Sequence, residues 1–236
     1  AVALAAALEA EVCEICSDVD GVYTADPRIV PDTRRLSELT HEEMQELAQA
    51  GAKVLNAQAV EFARDRGITI HARSTFQSGP GTQVAKTARR ELRISGVAIE
   101  TDLLVVRASG GAMFGELMRL LHANGAWPRE VWSDNAATFA LVPLENVHGP
   151  EALLKALKEF TGPSIDVRRG LGQVSIVGSG LGASLEPFAR AQEALKDFKV
   201  FATLTGPLRL SFLLPKESGK DAVRKLHDAF VEPAQA

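Results

Sequence analysis

Apolar and polar positions along the 236-residue chain change their period several times, and each change predicts an element. The opening run A-V-A-L-A-A-A-L, followed by Glu9 and Glu11, reads as a buried Ala-rich helix over residues 1–10. Residues 11–15 follow as a strand. Residues 17–35 are dense in Asp, Gly and Pro, the composition of an ordered loop. Thr40 and Glu43 make a capping-box pattern, and Met44, Leu47 and Ala48 continue it at helical spacing until Gly51. A second helix is expected over 57–66, stopped by Gly67, and I-T-I-H-A at 68–72 alternates as a strand. The first third is therefore a strand–loop–helix–helix–strand piece of an α/β domain.

The Q-S-G-P-G-T stretch at 77–82 marks a domain boundary, and the pattern changes beyond it. Phe114, Leu117, Met118 and Leu121 lie on one face of a helix, as do Leu153, Ala156, Leu157 and Phe160. A strand at 173–177 leads to a helix over 185–195 with Leu185, Phe188, Ala189 and Leu195 apolar. Strands at 199–205 and 208–214 precede a last helix carrying Val223, Leu226 and Phe230. The order is βαββαβ and then βαββα, with the second round's missing strand supplied by the chain entering at 92–99. Helices on one face of an antiparallel sheet suit this order. The domains expected are 1–82, 83–165 and 166–236.

Composition narrows the function. A net charge of −4 with no basic stripe argues against a nucleic-acid surface, and no apolar stretch is long enough to span a bilayer. Cys13 and Cys16 form a lone C-x-x-C in an apolar run, with no second pair or His cluster to complete a metal site. Buried strand packing with reduced thiols is expected, as in a cytoplasmic protein. The five histidines lack paired carboxylates in the sequence pattern and read as structural. Trp127 and Trp132 read as plugs of a pairing interface.

The chemistry concentrates in S-D-V-D-G-V-Y-T-A-D-P-R at 17–28, just after a predicted strand, where open α/β sheets present ligands. Gly21 permits a tight turn and Pro27 stiffens the loop. Asp18, Tyr23 and Arg28 offer an acceptor, an aromatic face and a fork that matches phosphate. Lys53, in G-A-K-V-L between two helices, can act as a point charge. A well-ordered structural loop with a surface lysine is the alternative on these grounds. Neither a Walker loop nor a dinucleotide G-x-G-x-x-G is present, and G-S-G-L-G at 178–182 lacks the lysine of a phosphate loop.

These residues resemble the aspartokinase family. C-E-I followed by S-D-V-D-G-V-Y-T-A-D-P-R-I-V-P-D resembles its nucleotide-binding loop, and E-M-Q-E-L-A with G-A-K-V-L resembles its next motif. R-S-T-F at 73–76 and Gly81-Thr82 match the usual close of its kinase domain. The resemblance implies the C-terminal part of an amino-acid-kinase α/β sandwich followed by two ACT-like α+β domains. It implies MgATP-dependent phosphorylation of the aspartate side chain, the first step toward lysine, threonine and methionine. Carried over residue by residue, Ser17 and Asp18 lie near the adenosine, Tyr23 flanks it, and Arg28 and Lys53 face the phosphates. Thr24, Asp26 and Val54 complete the nucleotide-contacting set. No catalytic residue and no metal ligand is assigned within the chain. A homodimer through the ACT-like domains is implied too.

The family's lysine-and-glycine strand end, its aspartate-holding residues and its G-G-S-D segment are not found before Ala1. The chain by itself is therefore expected to be inactive, with a non-catalytic regulatory or assembly subunit as the alternative. At the effector turn, Ser109, Gly110 and Gly111 replace the usual Pro-Gly, so altered or weak binding of lysine or threonine is expected.

Overall fold

The computed structural model describes residues 1–86, 94–145, 147–160 and 165–231. In chain order they form α1 (Val2–Ala7), β1 (Val12–Ser17), β2 (Glu38–Thr40), α2 (His41–Gln49), α3 (Ala57–Arg66), β3 (Thr69–Ser74) and β4 (Thr82–Ala85). Next come β5 (Ile94–Ala108), α4 (Gly111–Ala123), β6 (Glu130–Ser133), β7 (Thr138–Pro143) and α5 (Pro150–Phe160). The chain ends with β8 (Ile165–Gly178), α6 (Glu186–Ala194), β9 (Ala202–Thr205), β10 (Arg209–Pro215), a single 3-10 turn (Lys216–Ser218) and α7 (Gly219–Phe230).

Two compact units result: Ala1–Glu100 with Gln173–Leu214 and Ser218–Ala236, and Thr101–Gly172 with Pro215–Glu217. The long strands β5 and β8 each contribute to both.

The first unit holds two cores. A four-stranded sheet in the order β1-β3-β4-β2 pairs β1 with β3 in parallel and β3 with β4 antiparallel. Its core joins Val22, Leu39, Met44, Leu47, Val60 and Ile70. Here α2 starts on the predicted capping box: Glu43 N–H donates to Thr40 Oγ1 (3.1 Å) and Thr40 N–H to Glu43 Oε2 (3.0 Å). The other oxygen of Glu43 accepts from Ser95 Oγ of β5 at 2.8 Å. The second core gathers Val174 and Ile176 of β8, Phe212 and Leu214 of β10, and Val223 and Leu226 of α7. Val97 of β5 is buried in it, so the strand expected at 92–99 does enter this layer, although Leu92 lies outside the described residues.

The second unit places α4 and α5 over strands ordered β6-β7-β5. Leu117, Leu121, Leu153 and Leu157, each predicted from helical spacing, form its core with Leu104, Val106 and Ala140. Trp132 stacks on Phe139 with ring centroids 5.3 Å apart, whereas Trp127 is 66% exposed and meets His122 edge-on.

Several elements depart from the sequence reading for local reasons. α1 stops at Ala7, just before Glu9 takes a left-handed φ of 53°, and Leu4 and Leu8 are exposed rather than buried because Val2 and Ala5 hold the inward face. The short strands β2 and β4 went unpredicted, since three or four residues carry too little periodicity. Of these, β4 begins inside the expected boundary segment. α6 begins at Glu186, and Leu185 is 82% exposed. Cys13 is buried and Cys16 exposed, because residues three apart on a strand face opposite sides. No helix among the described residues is long and apolar enough to cross a membrane.

Gly51 shows how tightly the first unit is built. It ends α2 at φ 108°, and a Cβ there would collide with the Ile99 carbonyl of β5. Gly51→Ala should therefore lower stability by about 3 kcal/mol, from backbone strain plus overpacking. Chemical denaturation of the two proteins, compared at equal slope, checks this.

Candidate functional site

The C-terminal ends of parallel β1 and β3 bring Ser17 opposite Ser74. There Val19 N–H donates to Ser17 Oγ at 3.3 Å, turning the chain off the strand into the loop of residues 17–35. Thr75 N–H donates to Ser17 O at 2.8 Å. At Gly21 the backbone has φ 141°, and a Cβ would sit 2.5 Å from Thr82 Oγ1. Only glycine fits.

Thr82, the first residue of β4, is fully buried and stitches the loop shut. Its hydroxyl accepts from Val22 N–H at 2.8 Å and donates to Leu36 O at 2.6 Å. Between these points the two sides of the loop pair with each other: Thr24 N–H donates to Arg34 O at 2.9 Å and Leu36 N–H to Val22 O at 2.8 Å. The loop then reaches the second core through Ala25, Ile29 and Val30.

Tyr23 donates its phenol proton to Asp20 Oδ1 at 2.8 Å. Partial burial raises the phenol's pKa, and the hydrogen bond to Asp20 adds to the rise. Asp26 and Arg28 make a forked pair, with Arg28 Nη2 2.8 Å from Oδ2 and Nε 3.0 Å from Oδ1. The Arg28 side chain holds the Asp26 carboxyl below its ordinary pKa. Because the Arg28 side chain is 86% exposed, water screens this pair and an incoming anion can compete for the fork.

Six of the predicted residues thus come together on one loop: Ser17, Asp18, Tyr23, Thr24, Asp26 and Arg28. Asp18 is exposed, and Thr24 faces inward at 1% exposure. Lys53 and Val54 lie in the separate α2–α3 turn, Lys53 exposed and Val54 packed on the core that holds Val22. In the second unit, Ser109 and Gly110 form the β5–α4 turn and Gly111 opens α4. Gly110 sits there at φ 90° and no side chain caps the helix.

Two features escaped the sequence reading. A cavity of about 250 Å³ beside the loop is lined by Asp20, Arg35, Ser74, Gln77, Ser78, Gly79 and Pro80. Residues 77–80 of its lining belong to the stretch taken for a boundary, and Ser74 is the register partner of Ser17. The second is His227 of α7, buried with Nε2 2.9 Å from Thr24 Oγ1. Its place four residues after Val223 put it on the predicted apolar face. A third histidine corrects the reading of unpaired imidazoles: His71 Nδ1 lies 3.3 Å from Glu14 Oε1 across the β1–β3 pair. Among the described residues no group of three or more His, Cys, Asp or Glu could hold a metal ion.

Comparison with known proteins agrees with this architecture. Residues 1–74 match the sequence model of the amino acid kinase family. The aspartokinase of Corynebacterium glutamicum is 36% identical over 98% of this chain and 59% of its own length. The chain thus spans about three fifths of the curated relatives it matches. Escherichia coli aspartokinase III, solved in complex with aspartate and ADP (R-state), superposes with a TM-score of 0.88 at 25% identity, covering 98% of this chain and 55% of that one. The ligand-free regulatory subunit of aspartate kinase from Thermus thermophilus shares the fold over 59% of this chain and 99% of its own, at 22% identity and a TM-score of 0.51. The expected fold class, a kinase-type α/β piece followed by ACT-like α+β units, is the observed one. Loop, sheet and relatives agree, and the chain belongs to the aspartokinase family.

Proposed function

We propose that loop 17–35 and the α2–α3 turn hold MgATP for transfer of its γ-phosphoryl group to the side-chain carboxylate of L-aspartate. One observation carries this reading: the S-D-V-D-G-V-Y-T-A-D-P-R loop is seated at the C-terminal ends of parallel β1 and β3, with the backbone groups of Val22 and Thr24 tied by hydrogen bonds. In this arrangement Ser17, Asp18 and Tyr23 attend the adenosine, and Arg28 and Lys53 approach the phosphates. Thr24, Asp26 and Val54 shape the loop and turn around them.

Phosphoryl transfer asks the protein for position and compensating charge rather than covalent chemistry. Arg28 suits that demand. Its fork already holds the two oxygens of Asp26, and a phosphate presents the same geometry with more charge. Magnesium bound mainly through phosphates needs no three-carboxylate cage from the protein.

Because the chain spans three fifths of its relatives, nucleotide binding is the property to measure on this polypeptide. Aspartate-dependent ADP release is the reaction this reading assigns to a full-length aspartokinase. Calorimetric titration with ADP and magnesium should give saturable binding, and Arg28→Ala and Lys53→Ala should each weaken it about tenfold, or about 1.4 kcal/mol. A folded wild-type chain that binds no nucleotide would favour the regulatory or assembly subunit instead.

The ACT-like segments, 83–165 and 166–236, belong to the same proposal as amino-acid sensors that pair between chains in a homodimer. Here the Ser109-Gly110-Gly111 turn is decisive. Ordering such a turn around a free amino acid costs roughly 1 kcal/mol or more for each residue fixed. Titration with lysine or threonine should therefore yield at best millimolar affinity, and a micromolar isotherm for either would refute this.

A further inference from the structure

Thr24 connects Tyr23, on the nucleotide side of the loop, to the Asp26–Arg28 pair. Its hydroxyl accepts the Arg34 N–H at 3.1 Å and lies 2.9 Å from His227 Nε2. Its carbonyl accepts from Val97 N–H at 2.7 Å. α7 grips the same loop a second time, one turn earlier, where Arg224 Nε donates to Ile29 O at 2.9 Å. Two side chains of the last helix therefore hold the loop on either side of Asp26 and Arg28, more than 190 residues away in sequence.

We propose that His227 is a positioning residue for the nucleotide loop, with its neutral Nε2 accepting the Thr24 hydroxyl proton and so fixing the loop's binding shape. The assignment rests on the nucleotide-holding role given to the loop above. With Nε2 as acceptor, the Thr24 hydroxyl uses both of its capacities, accepting from Arg34 and donating to His227. Protonation turns Nε2 into a donor and places a cation between α7 and the loop. The hydroxyl proton then loses this acceptor, and the oxygen that accepts from Arg34 N–H is shared with a cationic donor.

The charged groups acting on His227 are Asp228 of its own helix and Asp32 and Arg34 of the loop. Burial, joined by the Arg34 charge, outweighs the two aspartates and lowers the imidazole's pKa below its ordinary 6.5. The sign follows from linkage: the unfolded chain binds this proton more readily. The contact therefore contributes fully above about pH 6.5 and is lost as pH falls through the lower folded value. Helix α7 thus reports on the loop in two ways, through its own position and through proton concentration.

The test measures hydrogen exchange of the Thr24 and Arg34 amides together with ADP affinity, from about pH 7.5 to about pH 5.5. Wild type, His227→Leu and His227→Gln are compared, the last offering a neutral polar group at every pH. In wild type, the protection of the Arg34 amide, taken relative to its intrinsic exchange at each pH, should fall, and ADP affinity should fall about tenfold across this range. His227→Leu should show the low protection and weak binding already at the higher pH. His227→Gln should bind near the wild-type level there and show a flattened pH profile, which a merely structural filler would not. Unchanged Arg34 exchange in His227→Leu, or an unflattened profile in His227→Gln, overturns the proposal while leaving nucleotide binding intact. Absence of ADP binding in wild type, with Arg34 exchange still responding to His227→Leu, instead overturns the nucleotide reading and the positioning role with it.

Discussion

A long Asp-rich loop can be buried only if its backbone polar groups find partners within the protein. Each one left unpaired costs about 1–3 kcal/mol. In this chain that requirement is met from three directions. Thr82 of β4 takes Val22 N–H and Leu36 O, the loop's own return strand takes Thr24 N–H, and Val97 of β5 takes Thr24 O. The loop is therefore rigid where it is inward and free where it is outward. That division leaves Asp18 and Arg28 in solvent while Thr24 is sealed.

Contacts of the same kind explain why the last α+β layer belongs to one compact unit with the piece that carries loop 17–35. Ser95 of β5 shares the carboxylate that caps α2, and Arg209 of β10 meets Glu46 of α2 at 3.3 Å. The α2–α3 turn approaches Ile99 so closely that Gly51 has no room for a side chain, and Gly219 at the start of α7 faces the same residue. A shift of β5 or α7 would thus be felt at the helix pair that presents Lys53 as well as at the loop. Packed interiors carry such displacements because they have little free volume to absorb them.

The Asp26–Arg28 pair plays the opposite part. It is local and exposed, and it adds little to stability. In the function proposed above, it holds the guanidinium fork near the loop's outer face until a phosphate competes for it. Stiff backbone beneath and an exchangeable ion pair above suit a site that must accept and release a charged ligand.

Much of this was legible in the sequence because it is written in short-range pattern. The capping box at Thr40, the helical spacing of Leu117, Leu121, Leu153 and Leu157, and the strand–loop order around Ser17 all depend on residues within a turn or two of each other. The motif at 17–28 also named the loop that the structure ties down. What the sequence could not show are the pairings that bridge long separations. Thr82 looked like the edge of a linker, and it closes the loop only because β4 adds antiparallel to β3. Ser74 became a cavity wall through register with Ser17, and His227 became a loop contact because α7 folds back across the chain. Local propensity fixes which segments are helix, strand or loop. Which side chains then meet is decided by packing, since a buried hydrogen bond forms only where the tertiary fold brings both partners out of water together.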